Sequence, residues 1–163
     1  MPTNISGTTG VSQVQDGVIV QADLASNVAG TGPAFSAYQS VAQSFGAATE
    51  TKIQFQSEEF DTGSAFDSTT NYRFQPTIAG YYQIEGNIGF GTNVSVYLSL
   101  YKNGAKFKQG AIITNCTTVG MTTLVYLNGT TDYVELWGFT SSAQNSIASN
   151  QLTYFQGYLA RSN

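Results

Sequence analysis

FDSTTNYRFQPTIAGYYQIEG, residues 66–86, is the stretch that decides how this chain folds. Tyr72 and Phe74 alternate with Arg73 and Gln75 until Pro76, which has no N–H to give a ladder, stops the strand. After Ala79 and Gly80 the alternation restarts. The run YYQIEGNIGF puts Tyr82, Ile84, Gly86, Ile88 and Phe90 on one face, so two strands joined by a polar turn are expected here.

The same period-2 pattern extends in both directions. Ile53 and Phe55 alternate with Lys52, Gln54 and Gln56 upstream; Val94, Val96, Leu98 and Leu100 follow downstream, and Asn103-Gly104 turns the chain back through Phe107. Val119, Met121, Val125 and Leu127 lead to a second turn at Asn128-Gly129, then to DYVELWGF and finally LTYFQGYLA. No dozen residues after Pro33 carry a 3.6-residue apolar period free of glycine and β-formers. Residues 33–163 therefore read as one all-β head, a sandwich or closed barrel.

Two strands are aromatic or apolar on both faces. In DYVELWGF, Val134 and Leu136 oppose Tyr133 and Trp137; in LTYFQGYLA, Phe155 and Leu159 oppose Tyr154 and Tyr158. A sandwich strand in a lone subunit needs one apolar face only. Tyr133, Trp137, Tyr154 and Tyr158 are accordingly expected at a subunit interface, the alternative being rings tucked under loops or standing singly on the surface.

Composition narrows the function classes. Charged residues are 10% of the 163, whereas Ser, Thr, Asn and Gln number 60, so the surface is mostly uncharged and polar. Six scattered Lys and Arg against ten Asp and Glu offer no stripe for phosphates, and nucleic acid is not expected as a partner. No apolar run approaches a bilayer-spanning length, and MPTNISGTTG lacks the basic start and apolar stretch of a cleaved signal. There is no His at all, which excludes a Ser-His-Asp triad, a Cys-His pair and His-ligated metals. Cys116 stands alone and reads as a small half-buried strand residue.

Residues 1–32 differ in texture, with no aromatic before Phe35. Asp16-Gly17 between Val14 and Val18 is a hairpin signal, and ADLASNV has the makings of one helical turn. The segment is expected to be an attachment or chain-exchange arm outside the main core.

Residues 66–86 resemble the signature of the complement C1q globular-head family, related to tumour necrosis factor: an aromatic with Asp, a polar turn, a Phe strand, Pro, then Gly-Tyr-Tyr. PAFSAY at 33–38, SLYKNG at 99–104, TTDYVELWGF at 131–140 and TYFQGYLA at 153–160 resemble other landmarks of that family in the same order. The resemblance implies a ten-stranded jelly-roll β-sandwich, assembled as a parallel homotrimer with the sheet carrying both termini on the three-fold axis. The chain departs from animal members in having no collagen repeat, secretion signal or cysteine pair. ISGTTGVSQVQDGVIVQADLAS resembles the openings of phage tail-fibre, collar and head-fibre proteins. The two likenesses imply a virion accessory protein, its arm joined to other virion proteins and its head meeting a host surface glycan or protein. A bacterial C1q-like lectin or surface-filament head, at the cell surface or extracellular, is the alternative; a carbohydrate-active enzyme is a third reading.

Glu58, Glu59, Asp61 and Asp67 form the one acidic cluster. Hard oxygen ligands on a loop suit calcium, and a carboxylate pair suits glycoside hydrolysis, but a solvated acidic loop explains them as well. The spacing is not that of an EF-hand, and nothing marks one carboxylate as acid and another as base. No catalytic residue and no other cofactor is expected. Sequons at Asn4, Asn93, Asn115 and Asn128 are unremarkable in a chain so rich in Asn and Thr.

Overall fold

The computed structural model describes residues 31–162; the expected hairpin at Asp16-Gly17 and nearly all of the arm lie outside them. Twelve strands are present among the described residues: β1 Ala34–Gln39, β2 Ser44–Phe45, β3 Thr49–Lys52, β4 Ser57–Asp61, β5 Phe66–Asp67, β6 Arg73–Phe74, β7 Gly80–Lys102, β8 Ala105–Gln109, β9 Ile113–Leu127, β10 Val134–Thr140, β11 Gln144–Asn145 and β12 Ser149–Ser162. Ten of them join one continuous sheet, and β2 pairs with β11 in a small second one.

Continuity comes from β7, 23 residues long, which serves both layers. Its first half pairs with β12 and β9, its second half with β10 and β8. One layer thus runs β4, β1, β12, β7, β9, and the other is built from β3 and β6 on β10, then β7 and β8. The register of β7 against β9 slips between Gly89 and Val94, where the strand bends from one layer to the next. The sequence pattern presents this strand as two, because the inward alternation breaks there.

Between the layers lies the expected core: Tyr82, Ile84, Ile88, Phe90, Val94, Val96, Leu98, Leu100, Val134, Leu136, Phe155 and Leu159 are all buried. Phe35 sits at its centre, stacked on Phe74 with centroids 4.3 Å apart and meeting Phe155 edge-on at 5.1 Å. Burial pushes the Tyr82 phenol up to about 12, and its hydroxyl donates to the Ile78 carbonyl at 2.7 Å.

Two local expectations change. Ile53 and Phe55 are fully buried, yet they follow β3 rather than forming a strand; the Ile53 N–H reaches Leu136 O and the Gln54 N–H is taken by the Gln43 side chain. Tyr72 is not in a strand either. It has φ +48°, because the Asp67 carboxylate gathers the N–H groups of Thr69, Thr70 and Asn71 into a tight turn just before it. Asn103 and Gly104, at φ +53° and +78°, make the hairpin turn their dipeptide forecasts.

Gly157 is where β12 and β7 approach over the core. A Cβ there would stand 2.6 Å from Ile84 Cδ1 and 2.8 Å from the Gln83 carbonyl oxygen, and the latter is backbone that cannot step aside. Gly157→Ala is expected to cost about 1–3 kcal/mol by this overpacking. A thermal melt unchanged from wild type would contradict the register.

Candidate interaction surface

The solvent-facing side of the β4–β1–β12–β7–β9 layer follows from the register. One row reads Phe60, Ser36, Gln156, Glu85, Thr122; the next reads Ala34, Tyr158, Gln83, Leu124. Tyr81 and Tyr126 extend it, their rings 5.4 Å apart. Phe60, Tyr81, Leu124 and Tyr158 are 45–55% exposed, so among the described residues four large apolar side chains on one face lack a cover. A depression of about 290 Å³ opens between Phe60, Ala34 and Tyr158, and another of about 380 Å³ lies among Tyr81, Leu124 and Arg161.

Glu85 is the carboxylate near the middle of this face. Its oxygens accept from Gln156 Nε2 at 3.0 Å and from the Tyr154 hydroxyl at 3.3 Å. Partial burial, and then Glu85 itself, raise the Tyr154 pKa, so that phenol stays a donor.

Along one side of the face runs β9. Among the described residues it pairs with β7 alone, and its 15 residues, ITNCTTVGMTTLVYL, contain no charge and no Pro. Proteins guard a free strand edge with charges, prolines or a covering element. On this long edge the sequence supplies neither of the first two, whereas β8 carries Lys106 and Lys108.

No family model matches the sequence, and no curated protein matches it either. Solved structures do match the fold. The globular domain of zebrafish complement 1qA superposes with a TM-score of 0.55 at 16% identity, over 81% of this chain and 100% of that one. Murine APRIL gives 0.56 at 12% over 78% and 98%, and the Eiger TNF of S. frugiperda 0.57 at 12% over 80% and 93%. This chain has the C1q/TNF-like jelly-roll fold.

In the C1q/TNF-like head the four aromatics expected at an interface do not share a surface. Tyr154 and Tyr158 stand on the exposed face of the β12 layer, paired with Asn87 and Gln83. Trp137 lies on the outside of the other layer, stacked on Tyr101 at 4.5 Å with its indole N–H donated to Glu135. Tyr133 sits at the turn beside Gly104, under the Arg73 guanidinium at 4.3 Å. Alternation shows that a side chain points out but not which layer it points out from, and β10 and β12 belong to different layers. Phe60, Tyr81 and Leu124, which the sequence reading does not single out, share the exposed face with Tyr158. Tyr81 and Leu124 are out of phase with their strands' core residues, the same signal that singled out Tyr154 and Tyr158, whereas β4 has no buried residue against which to phase Phe60.

Around Trp137 the polar groups are saturated. Lys52 Nζ meets Glu135 Oε1 at 2.6 Å, and Glu50 accepts from Lys106 at 2.8 Å, Ser99 at 2.9 Å and the Tyr101 hydroxyl at 2.8 Å. Burial opposes ionisation of Glu50, but these donors outweigh it and its pKa is lowered. The Tyr101 phenol is pushed up to about 12 by burial and by Glu50.

The acidic cluster disperses into local hydrogen bonds. Glu58 accepts from Ser68 Oγ, Glu59 from Ser36 Oγ and Asn150 Nδ2, and Asp61 from the N–H groups of Gly63 and Phe66. Among the described residues no three carboxylate or thiol side chains group so as to hold a metal ion, so Glu58, Glu59, Asp61 and Asp67, raised as a calcium site because hard oxygen ligands on a loop suit that ion, do not converge. The half-buried Cys116 directs Sγ toward the Val94 and Ile113 carbonyls.

Asp67 is held well below the ordinary aspartate range, first by the Thr70 N–H, with further donors from Thr69 and Asn71 outweighing partial desolvation. A depressed folded-state pKa contributes stability that is present above about pH 4, the ordinary unfolded range, and is lost progressively as pH falls from there through the folded-state pKa. The urea midpoint is expected to start dropping near about pH 5 and to keep dropping to about pH 2, and Asp67→Asn should flatten that drop. An Asp67→Asn midpoint as steep in pH as wild type would remove this residue from the account.

Proposed function

We propose that the C1q/TNF-like head is a non-enzymatic binding module that closes into a homotrimer and is carried on a phage virion as a fibre, collar or head-fibre tip. The observation that supports the self-association is a pair of surfaces left uncovered among the described residues: an apolar sheet face and, beside it, a charge-free strand edge. Two different patches on one subunit fit a head-to-tail contact, and such a contact forms a ring when its rotation closes. Copies around one axis would cover the edge of each with the face of the next.

The virion placement is supported by the arm at residues 1–32, whose sequence resembles phage fibre openings. The head would then present a surface to a host glycan or surface protein. A bacterial lectin or surface-filament head differs from this only in where the arm attaches. Against a hydrolase stands the engagement of Glu58 and Asp61 by neighbouring donors, which leaves no spare acid and base side by side.

Light scattering on the purified chain is expected to give three times its 17.4 kDa, and antibody labelling of purified virions should decorate the particle. A mass of one chain would end the assembly reading. Trimers with unlabelled virions would move the head to the bacterial surface.

A further inference from the structure

The barrel has two ends, and they differ in charge. At one end sit both described termini: the Leu159 N–H bonds Pro33 O, and Gly80 pairs with Ser162. Close by, Lys102 meets Asp132 at 2.8 Å and Arg73 covers Tyr133. The opposite end is built from residues 40–48, 90–95, 110–118 and 141–149, and none of these four segments contains a single Asp, Glu, Lys or Arg.

Hydrogen bonds tie these segments into one unit. Gln43 N–H donates to Ser146 Oγ at 2.9 Å, Ser44 Oγ to Asn145 Oδ1 at 2.7 Å, Thr92 Oγ1 to Gln144 Oε1 at 3.0 Å, and Asn93 Nδ2 to Asn115 Oδ1 at 3.1 Å. Phe90 bridges to Ser146, and the Phe45 ring meets Phe90 edge-on at 5.4 Å, which anchors the tip on the core. The Ser95 N–H is held by Ser141 Oγ. The tip is therefore preorganised without ion pairs. What it shows to solvent is amides, hydroxyls and exposed aliphatics, with Val41 and Ile112 at least 60% exposed. Buried behind them, Gln144 Nε2 has no hydrogen-bond partner among the described residues.

From this we infer that the end distal to the termini recognises an electrically neutral glycan. This rests on the binding role proposed above and names its ligand class and place. Charge complementarity is the argument. An anionic ligand seated here would lose hydration with no cation to replace it, whereas sugar hydroxyls and acetamido groups find donors and acceptors, and their C–H faces find Val41. The absence of charge acts as a filter against sialylated or sulfated chains as much as a fit for uncharged ones.

The test is a glycan array probed with the full chain, carrying neutral, sialylated and sulfated members, run at about 50 mM and about 500 mM salt. Neutral members are expected to bind, with affinity changing less than about twofold across that salt range because no exposed charges are screened. Val41→Glu and Ile112→Glu, at exposed positions whose side chains lie outside the hydrogen-bond network of the tip, should lower binding about tenfold or more with mass and melting temperature unchanged. Preference for acidic glycans, loss of binding in high salt, or full binding by both variants would each overturn the inference. If trimers attach to host surfaces but bind no neutral glycan, this inference falls alone; if the chain neither trimerises nor attaches, the underlying role falls with it.

Discussion

Phe35→Ala is expected to lower the melting temperature by about 10–15 °C. Phe35 is 1% exposed and contacts three other rings: Phe74 and Phe66 in stacks at 4.3 and 5.1 Å, and Phe155 edge-on. Truncating a buried Phe costs about 3–5 kcal/mol, transfer and cavity together, which is a large fraction of a typical domain's 5–15 kcal/mol. At about 2–4 °C per kcal/mol for a chain of this size, that cost gives the stated shift. These rings come from β1, β5, β6 and β12, so the cavity would loosen both layers at once. The control is Phe107→Ala. Phe107 is an exposed residue on edge strand β8, and the change should stay within about 0.5 kcal/mol. Melts are compared at one protein concentration, because the proposed self-association would make the midpoint concentration-dependent. Equal shifts for the two variants would mean that the core is not where the register puts it.

The contrast between those two phenylalanines also shows what was legible in the sequence. Inward positions on β7, β10 and β12 follow from alternation alone, since an apolar residue every second place can satisfy only one side of a pleat. Asn103-Gly104 was legible because its dihedrals need residues tolerant of positive φ. Tyr72 was not. Its turn is set by Asp67 five residues earlier, and an aromatic in that position looks like a strand residue until the cap is seen. Ile53 and Phe55 alternate as a strand does, yet the Gln54 N–H donates to the Gln43 side chain and its carbonyl accepts from Gln39 Nε2, a competition that period cannot detect. At the surface the loss is larger. Tyr158 and Trp137 give the same signal in sequence, an aromatic opposite the core phase, and only the pairing of β12 with β1 and of β10 with β3 separates them. The four carboxylates looked like a cluster because sequence distance is short, while each was already occupied by its own turn or neighbouring strand.

That separation makes the last prediction sharp. If the head is the proposed trimer, Tyr158→Lys is expected to convert it to single chains of 17.4 kDa while leaving the fold intact. Tyr158 is 54% exposed in the isolated subunit, so the substitution removes little from the core and should move monomer stability by no more than about 0.5 kcal/mol. In a closed ring the same change occurs at every interface. Each new ammonium would be desolvated against an apolar face whose central carboxylate, Glu85, is already engaged by Tyr154 and Gln156. An unpaired buried charge costs several kcal/mol per ion, and three of them exceed what an interface of ordinary size can absorb. Tyr133→Ala, an outward aromatic of the other layer, should leave the mass unchanged. If Tyr158→Lys stayed trimeric while Tyr133→Ala dissociated, the copies would meet through the β10 layer, and the charge-free edge of β9 would need a different cover.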